Sequence, residues 1–235
     1  ILLGCDFVQN ANPPTNPSGG GNNNPSIIYR KALVEDYTGH KCGNCPKAAD
    51  TLSFLEDKYP GQIVPLAVHA GFYATTNGAY PTNLQTTEGD AYDLTFGNSL
   101  DGNPNGLVSR TDFKAGSTVF IKKYPAWENA VVPIIAQPAN FQIKINNSFN
   151  TSTNQLSTNV TVKSLGVNTG TYKLTVLLTE DSIVAEQLDY RIAPPTPQKI
   201  PNYVFNHVLR SAINNTWGDA VFTGGAALND SVVKS

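Results

Sequence analysis

Methionine is absent from this 235-residue chain, and cysteine and histidine occur only three times each. The lack of methionine carries no structural reading, whereas the scarcity of thiols and imidazoles does. A zinc site around one Cys pair needs two further Cys or His ligands at short spacing, and so few residues leave little to build one from. No C-x-x-C-H run occurs, which excludes covalent attachment of a c-type haem. Charge is sparse as well, with 14% charged residues and a formal net charge of -2. Without a basic surplus nothing points to nucleic acid as a partner. Beyond the first residues, no segment is apolar for long enough to cross a bilayer as a helix. Neither a cofactor nor a metal is expected. The richness in Asn, Thr, Ser and Gly resembles an exported surface protein, and the length fits two modest domains and a tail.

Against that background two thiols stand out, in Cys42-Gly43-Asn44-Cys45-Pro46. The apolar run from Lys31 to Tyr37 before them reads as a buried strand. From Pro46 onward Ala48, Leu52, Leu55 and Tyr59 recur at helical spacing. The pair therefore stands at a helix N-terminus, as the redox dithiol does in a thioredoxin-type fold. Unpaired N–H groups and the positive end of the helix dipole favour a thiolate there. Cys42 is the expected attacking thiol and Cys45 the resolving one, with His40 and Lys41 as accessory candidates for lowering the first thiol's pKa. A permanent structural disulfide is the alternative.

The third cysteine has a separate reading. Ile1-Leu2-Leu3-Gly4-Cys5 looks like the end of a lipoprotein signal peptide, with Cys5 as the acylated residue and residues 1–4 as the leader's remnant. Most of that leader is expected to precede residue 1. Residues 5–29 read as lipid attachment and an Asn/Pro/Gly tether. From Gln9 to Ser26 its composition cannot bury enough surface to offset ordering, and as a coil that stretch spans about 20–25 Å.

Residues 30–136 read as an α/β thioredoxin-like domain. Residues 62–69 form its second strand, parallel to the first, with His69 at the strand end as either a structural histidine or a base near the Cys pair. Residues 70–101 are an insertion whose Tyr73, Tyr80, Tyr92 and Phe96 line a groove or make a small core of their own. Asn103-Pro104 then has the form expected of a cis-proline loop facing the dithiol, so Pro104 joins the candidate site. A short strand at 118–121 and a helix at 127–135 close the domain. Residues 137–235 carry period-two segments with Asn, Thr and Gly turns, which predicts an all-β, immunoglobulin-like sandwich. It reads as incomplete at the C-terminus, with no evident closing strand near Asn229. His207 and Arg210 face opposite ways in one of its strands and read as structural.

The chain resembles the outer membrane protein 28-related lipoproteins. The likeness rests on Val34-Glu35-Asp36-Tyr37-Thr38-Gly39 leading into the Cys motif, on Ala67-Val68-His69-Ala70-Gly71, on the loop 104–110, and on His207-Val208-Leu209-Arg210 with Trp217-Gly218. It implies a thioredoxin-like domain followed by an immunoglobulin-like one, lipid-anchored at an outer membrane. Asn105, after the proline, departs from the small residue or Thr more usual there. Three functions follow as expectations. The first is a tethered thiol-disulfide oxidoreductase acting on exported proteins. The second is a non-enzymatic lipoprotein that binds cell-envelope partners and keeps its Cys pair as a staple. The third is a copper-binding protein using Cys42, Cys45 and His69.

Overall fold

The computed structural model of the chain describes residues 27–113, 120–196 and 198–235. Cys5, the leader remnant and the tether through residue 26 lie outside the described residues. The described chain is mostly β, a mixed six-stranded sheet with small sheets and few helices. It divides into two compact units, residues 31–135 with 176–213, and residues 136–175 with 214–235 and the described residues 27–30.

In the first unit β1 (Ala32–Thr38) runs parallel to β2 (Ile63–His69), and α1 (Cys45–Lys58) makes the crossover between them. β3 (Asn105–Val108) pairs antiparallel with β1, and β4 (Ile121–Lys123) antiparallel with β3. Pro46 starts α1 where its missing N–H has no partner to lose, and Lys58 occupies the last turn, at the negative end of the dipole. Ala48, Leu52 and Leu55 of α1 and Ala130, Val131 and Ile134 of a later helix, the fourth in the chain (Trp127–Ile135), pack on Ala32 and Val34. The other sheet face presents Tyr37, Leu66, Val68 and Leu107 to Tyr92. Burial on both faces is why β1 is a nearly unbroken buried run and not an alternating one.

The insertion 70–101 contains a 3-10 turn (Phe72–Ala74), α2 (Thr87–Phe96) and α3 (Asn98–Asp101); the closing helix Trp127–Ile135 is α4. The Thr86 hydroxyl caps α2 by accepting from the Gly89 N–H, and Gly97 ends it at φ 76°, where a Cβ would be strained. Tyr92 is fully buried in the common core and lines no groove.

Four strands of the region expected to form the sandwich belong to this first unit instead. In the second unit Tyr172–Leu174 forms β7, while β8 (Leu177–Glu180), β9 (Ile183–Leu188), β10 (Lys199–Phe205) and β11 (Val208–Ala212) are in the first. β11 pairs parallel with β2 through Val208 and Ala67 and antiparallel with β8, so the sheet order is β4-β3-β1-β2-β11-β8. β9 and β10 form a separate ribbon. The continuous sandwich over 137–235 is therefore corrected. Alternation showed that these segments were strands, but the sheet each joins depends on long-range pairing. Val208 and Leu209 are both buried, as suits a strand inside a two-faced sheet.

The second unit holds β5 (Phe141–Asn150) and β6 (Gln155–Ser164), ten residues each in unbroken antiparallel register, with β13 (Ser231–Lys234) on the other side of β6. Asn150 Oδ1 accepts from the Ser152 and Thr153 N–H groups, and Asn154 takes φ 55°, a turn chemistry suited to Asn. β7 pairs with β12 (Asp219–Phe222). The Phe141 ring lies 4.6 Å from that of Tyr172 and 5.6 Å from that of Phe222. Residues 231–234, read from sequence as lacking a strand, form β13. Ile28 and Tyr29, assigned to the tether, pair with Ala139 and Pro138.

Candidate functional site

Cys42 and Cys45 form a disulfide, with Cα atoms 5.4 Å apart. Asn44 is the N-cap of α1, so Cys45 is its first residue and Cys42 stands in the preceding turn, where the Cys45 N–H donates to the Cys42 carbonyl. Both are nearly inaccessible, at 4% and 2% exposure. The dithiol loop is held from one side by the insertion. The Lys41 N–H donates to the Tyr73 carbonyl at 3.0 Å, and His40 Nε2 donates to the Thr75 carbonyl at 3.1 Å. Gly39 is required there, because a Cβ would come within 2.4 Å of the Tyr73 carbonyl carbon.

His40 and Lys41 are thus drawn toward the insertion. The Lys41 ammonium bonds the Thr75 hydroxyl and lies 4.6 Å above the Phe72 ring. His40 is buried and stacked on Tyr80, and burial lowers its pKa. His69, at the end of β2, is buried with both ring nitrogens lacking a hydrogen-bond partner among the described residues. Burial, followed by the positive charges of His40 and Arg210, brings its pKa down to about 3, so it is a neutral ring at physiological pH.

Asp36 was missed by the sequence reading. It is buried in the middle of β1, with Oδ1 unpartnered among the described residues, and burial pushes its carboxyl up to about 8. Asp36, Cys45 and His69 line one cleft of about 210 Å³, whose walls include Ala49 of α1 and Tyr203 and Phe205 of β10. Two adjacent carboxylates in a buried strand just before a C-x-x-C were the available signal. Its neighbour Glu35, also buried, faces the other way and is neutralised by a two-pronged ion pair, with both Arg110 nitrogens at 2.8 Å. The two adjacent carboxylates therefore have opposite states, one paired and charged, the other unpaired and protonated.

The Asn103–Pro104 peptide is cis, and Asn105 immediately after it registers with Tyr37 at the end of β1 from which the dithiol loop leaves. The Asn105 side chain is buried and tied to the Asn98 side chain and carbonyl, each at 2.8 Å. His207 is in the turn between β10 and β11 at φ 57°, outside any strand, and also lines the cleft; it lies 3.5 Å from both Glu56 and Asp181. Among the described residues, no three His, Cys, Asp or Glu side chains are grouped to hold a metal ion. No helix described is long and apolar enough to cross a membrane.

The sequence profile of the family described as Outer membrane protein Omp28 matches residues 89–232, more than half of the chain. The chain belongs to the Omp28 family. The matched stretch includes Pro104, Arg110 and the His207–Arg210 segment and begins after the Cys pair, so the dithiol is a feature of this Omp28 chain outside the matched region. The family description points to the outer membrane. None of the curated proteins matches the chain. Two solved structures share its fold at 16% identity and a TM-score of 0.50. One is a protein of Agrobacterium tumefaciens, with 88% of this chain and 79% of that one covered. The other is HBP35 of Porphyromonas gingivalis, with 88% and 64% covered, so this chain spans about two thirds of HBP35.

Proposed function

We propose that this Omp28-family chain is a thiol–disulfide exchange protein of the outer membrane, anchored by lipid on Cys5, whose first unit is thioredoxin-like and acts on exported polypeptides through Cys42 and Cys45. The chain order of β1, α1, β2, β3, β4 and α4, with the C-x-x-C at the start of α1, supports the thioredoxin-like reading. The family description supports the location.

The observation that carries the chemistry is the cleft that the buried, protonated Asp36 and Cys45 both line. A partner's thiolate attacks Sγ of Cys42 and forms a mixed disulfide, and the S–S bond breaks with its electron pair going to Cys45. Asp36 supplies the proton that the Cys45 thiolate takes up. A second partner thiolate then attacks the partner sulfur of the mixed disulfide and releases Cys42. The partner dithiol has lost two electrons to become a disulfide, and the Cys pair has gained them; the reverse sequence oxidises the Cys pair. His69, neutral in the same cleft, adds no competing positive charge.

A second reading, a structural staple in a binding protein, is favoured by the burial of both sulfurs. Titration in glutathione and dithiothreitol buffers with thiol trapping separates the two. A midpoint between about -120 and -270 mV is expected for exchange, and resistance below about -300 mV identifies a staple.

A further inference from the structure

The dithiol loop is held on its second side by a segment far away in sequence. The Leu188 N–H donates to the His40 carbonyl at 2.8 Å and the Tyr190 N–H to the Gly43 carbonyl at 2.8 Å. Between them the Gln187 side-chain amide donates to the Cys42 carbonyl at 3.0 Å. The Tyr190 ring lies so close over Gly43 that a Cβ there would come within 2.6 Å of three ring carbons. These are the contacts of an extended polypeptide laid along the loop, with alternate backbone N–H groups used for binding. The segment is secured at its end by Arg191, which pairs with the buried Asp189 and reaches Asp50 on α1 at 2.6–2.7 Å. Gln187 and Leu188 pair with Ile200 and Lys199 in the β9–β10 ladder and the Asp189 N–H donates to the Gln198 carbonyl at 2.8 Å, so Tyr190 and Arg191 are the residues of this segment that stand outside the ladder.

We infer that residues 187–191 form an autoinhibitory strap, which occupies in cis the place of an extended polypeptide partner and shields the Cys42–Cys45 disulfide until its end, Tyr190 and Arg191, lifts. The inference rests on the exchange reading above and reconciles it with two buried sulfurs. A thiolate must approach along the S–S axis, and with Cys42 and Cys45 at 4% and 2% exposure the closed loop leaves little room for it. Arg191 is the latch, because it joins the buried Asp189 of the strap to Asp50 on α1. Tyr190 is the cover; its ring is half exposed, so lifting it costs little apolar burial.

The test measures the rate at which dithiothreitol reduces the disulfide in the full chain, read by thiol trapping. In the net reaction the dithiol becomes its cyclic disulfide and the Cys pair takes up two electrons and two protons. In the wild type, the rate is expected to level off as dithiothreitol is raised, because strap opening becomes limiting. Arg191→Ala and Tyr190→Ala are each expected to react roughly 10- to 100-fold faster, the factor for losing about one charge-assisted hydrogen bond or its equivalent. Arg191→Lys, which keeps one ion pair, stays near the wild type. Equal rates in wild type and variants, or a disulfide that stays intact in all of them, overturn the strap. The equilibrium midpoint tests the exchange reading separately: a catalytic midpoint with equal rates removes the strap and leaves exchange standing. Because two variants act through different contacts, and the levelling-off is read on the wild type, a variant that fails to fold leaves the proposal open to refutation.

Discussion

Replacing Asp36 with Asn removes one ionisable proton from the centre of β1 while keeping nearly the same shape. In the folded protein the carboxyl titrates at about 8, against an ordinary value of 3.8. Between those values the unfolded chain gives up the proton and the folded chain keeps it, so stability falls as pH rises. The slope is about 1.4 kcal/mol per pH unit, and over the whole window the loss is on the order of 5 kcal/mol. His69 acts in the opposite direction. It titrates at about 3 when folded and 6.5 ordinarily, so it adds stability as pH rises from 3 to 6.5. The two slopes cancel between about pH 4 and 6.5, and the wild type then loses about 2 kcal/mol between pH 6.5 and 8. Asp36→Asn lacks this loss. Urea unfolding of the oxidised protein, followed by the fluorescence of buried Trp127 in a Trp217→Phe background, measures both curves. The difference between variant and wild type is expected to widen by about 4 kcal/mol from pH 5 to 8. A difference that stays constant across this range refutes the argument, since it means that the folded Asp36 carboxyl ionises as it would in water.

Arg110→Met leaves the buried Glu35 without its counter-charge, and the expected loss is about 3–5 kcal/mol in urea unfolding. Adding Glu35→Gln to that variant recovers a large part of the loss, and a double variant as unstable as the single one counts against the ion pair as the cause. Gly39→Ala forces a Cβ into the backbone at Tyr73 and Ala74, where no flexible side chain can give way. A cost of about 1–3 kcal/mol is expected, read as a Tm lowered by at least about 2 °C; an unchanged Tm shows that the insertion does not grip the loop as described.

Local patterns made much of the first unit legible. The apolar run before Cys42, the helical spacing of Ala48, Leu52 and Leu55, and the run ending at His69 correspond to β1, α1 and β2. Period-two patterning beyond residue 137 marked β5 and β6 as strands for the same reason, since alternation is a local signal. The candidate site was only partly visible. Cys42 and Cys45 announced themselves by spacing, whereas Gln187, Tyr190 and Arg191 carry no local mark and reach the loop from about 145 residues away. Lys41 and His40 stand beside the first thiol in sequence, yet their side chains are committed to Thr75, Phe72 and Tyr80.

By itself, then, the sequence determined β1, α1 and β2, the position of the dithiol at the start of a helix, and the resemblance to the Omp28 family, because each of these is encoded in neighbouring residues. Only the tertiary structure decided that β8 to β11 join the first unit, that Asp36 is buried unpaired while Glu35 is paired, and that residues 187–190 bond along the dithiol loop. Those outcomes depend on which groups lose water and which partners meet them after the chain closes, and a period of two or 3.6 residues holds no information about either.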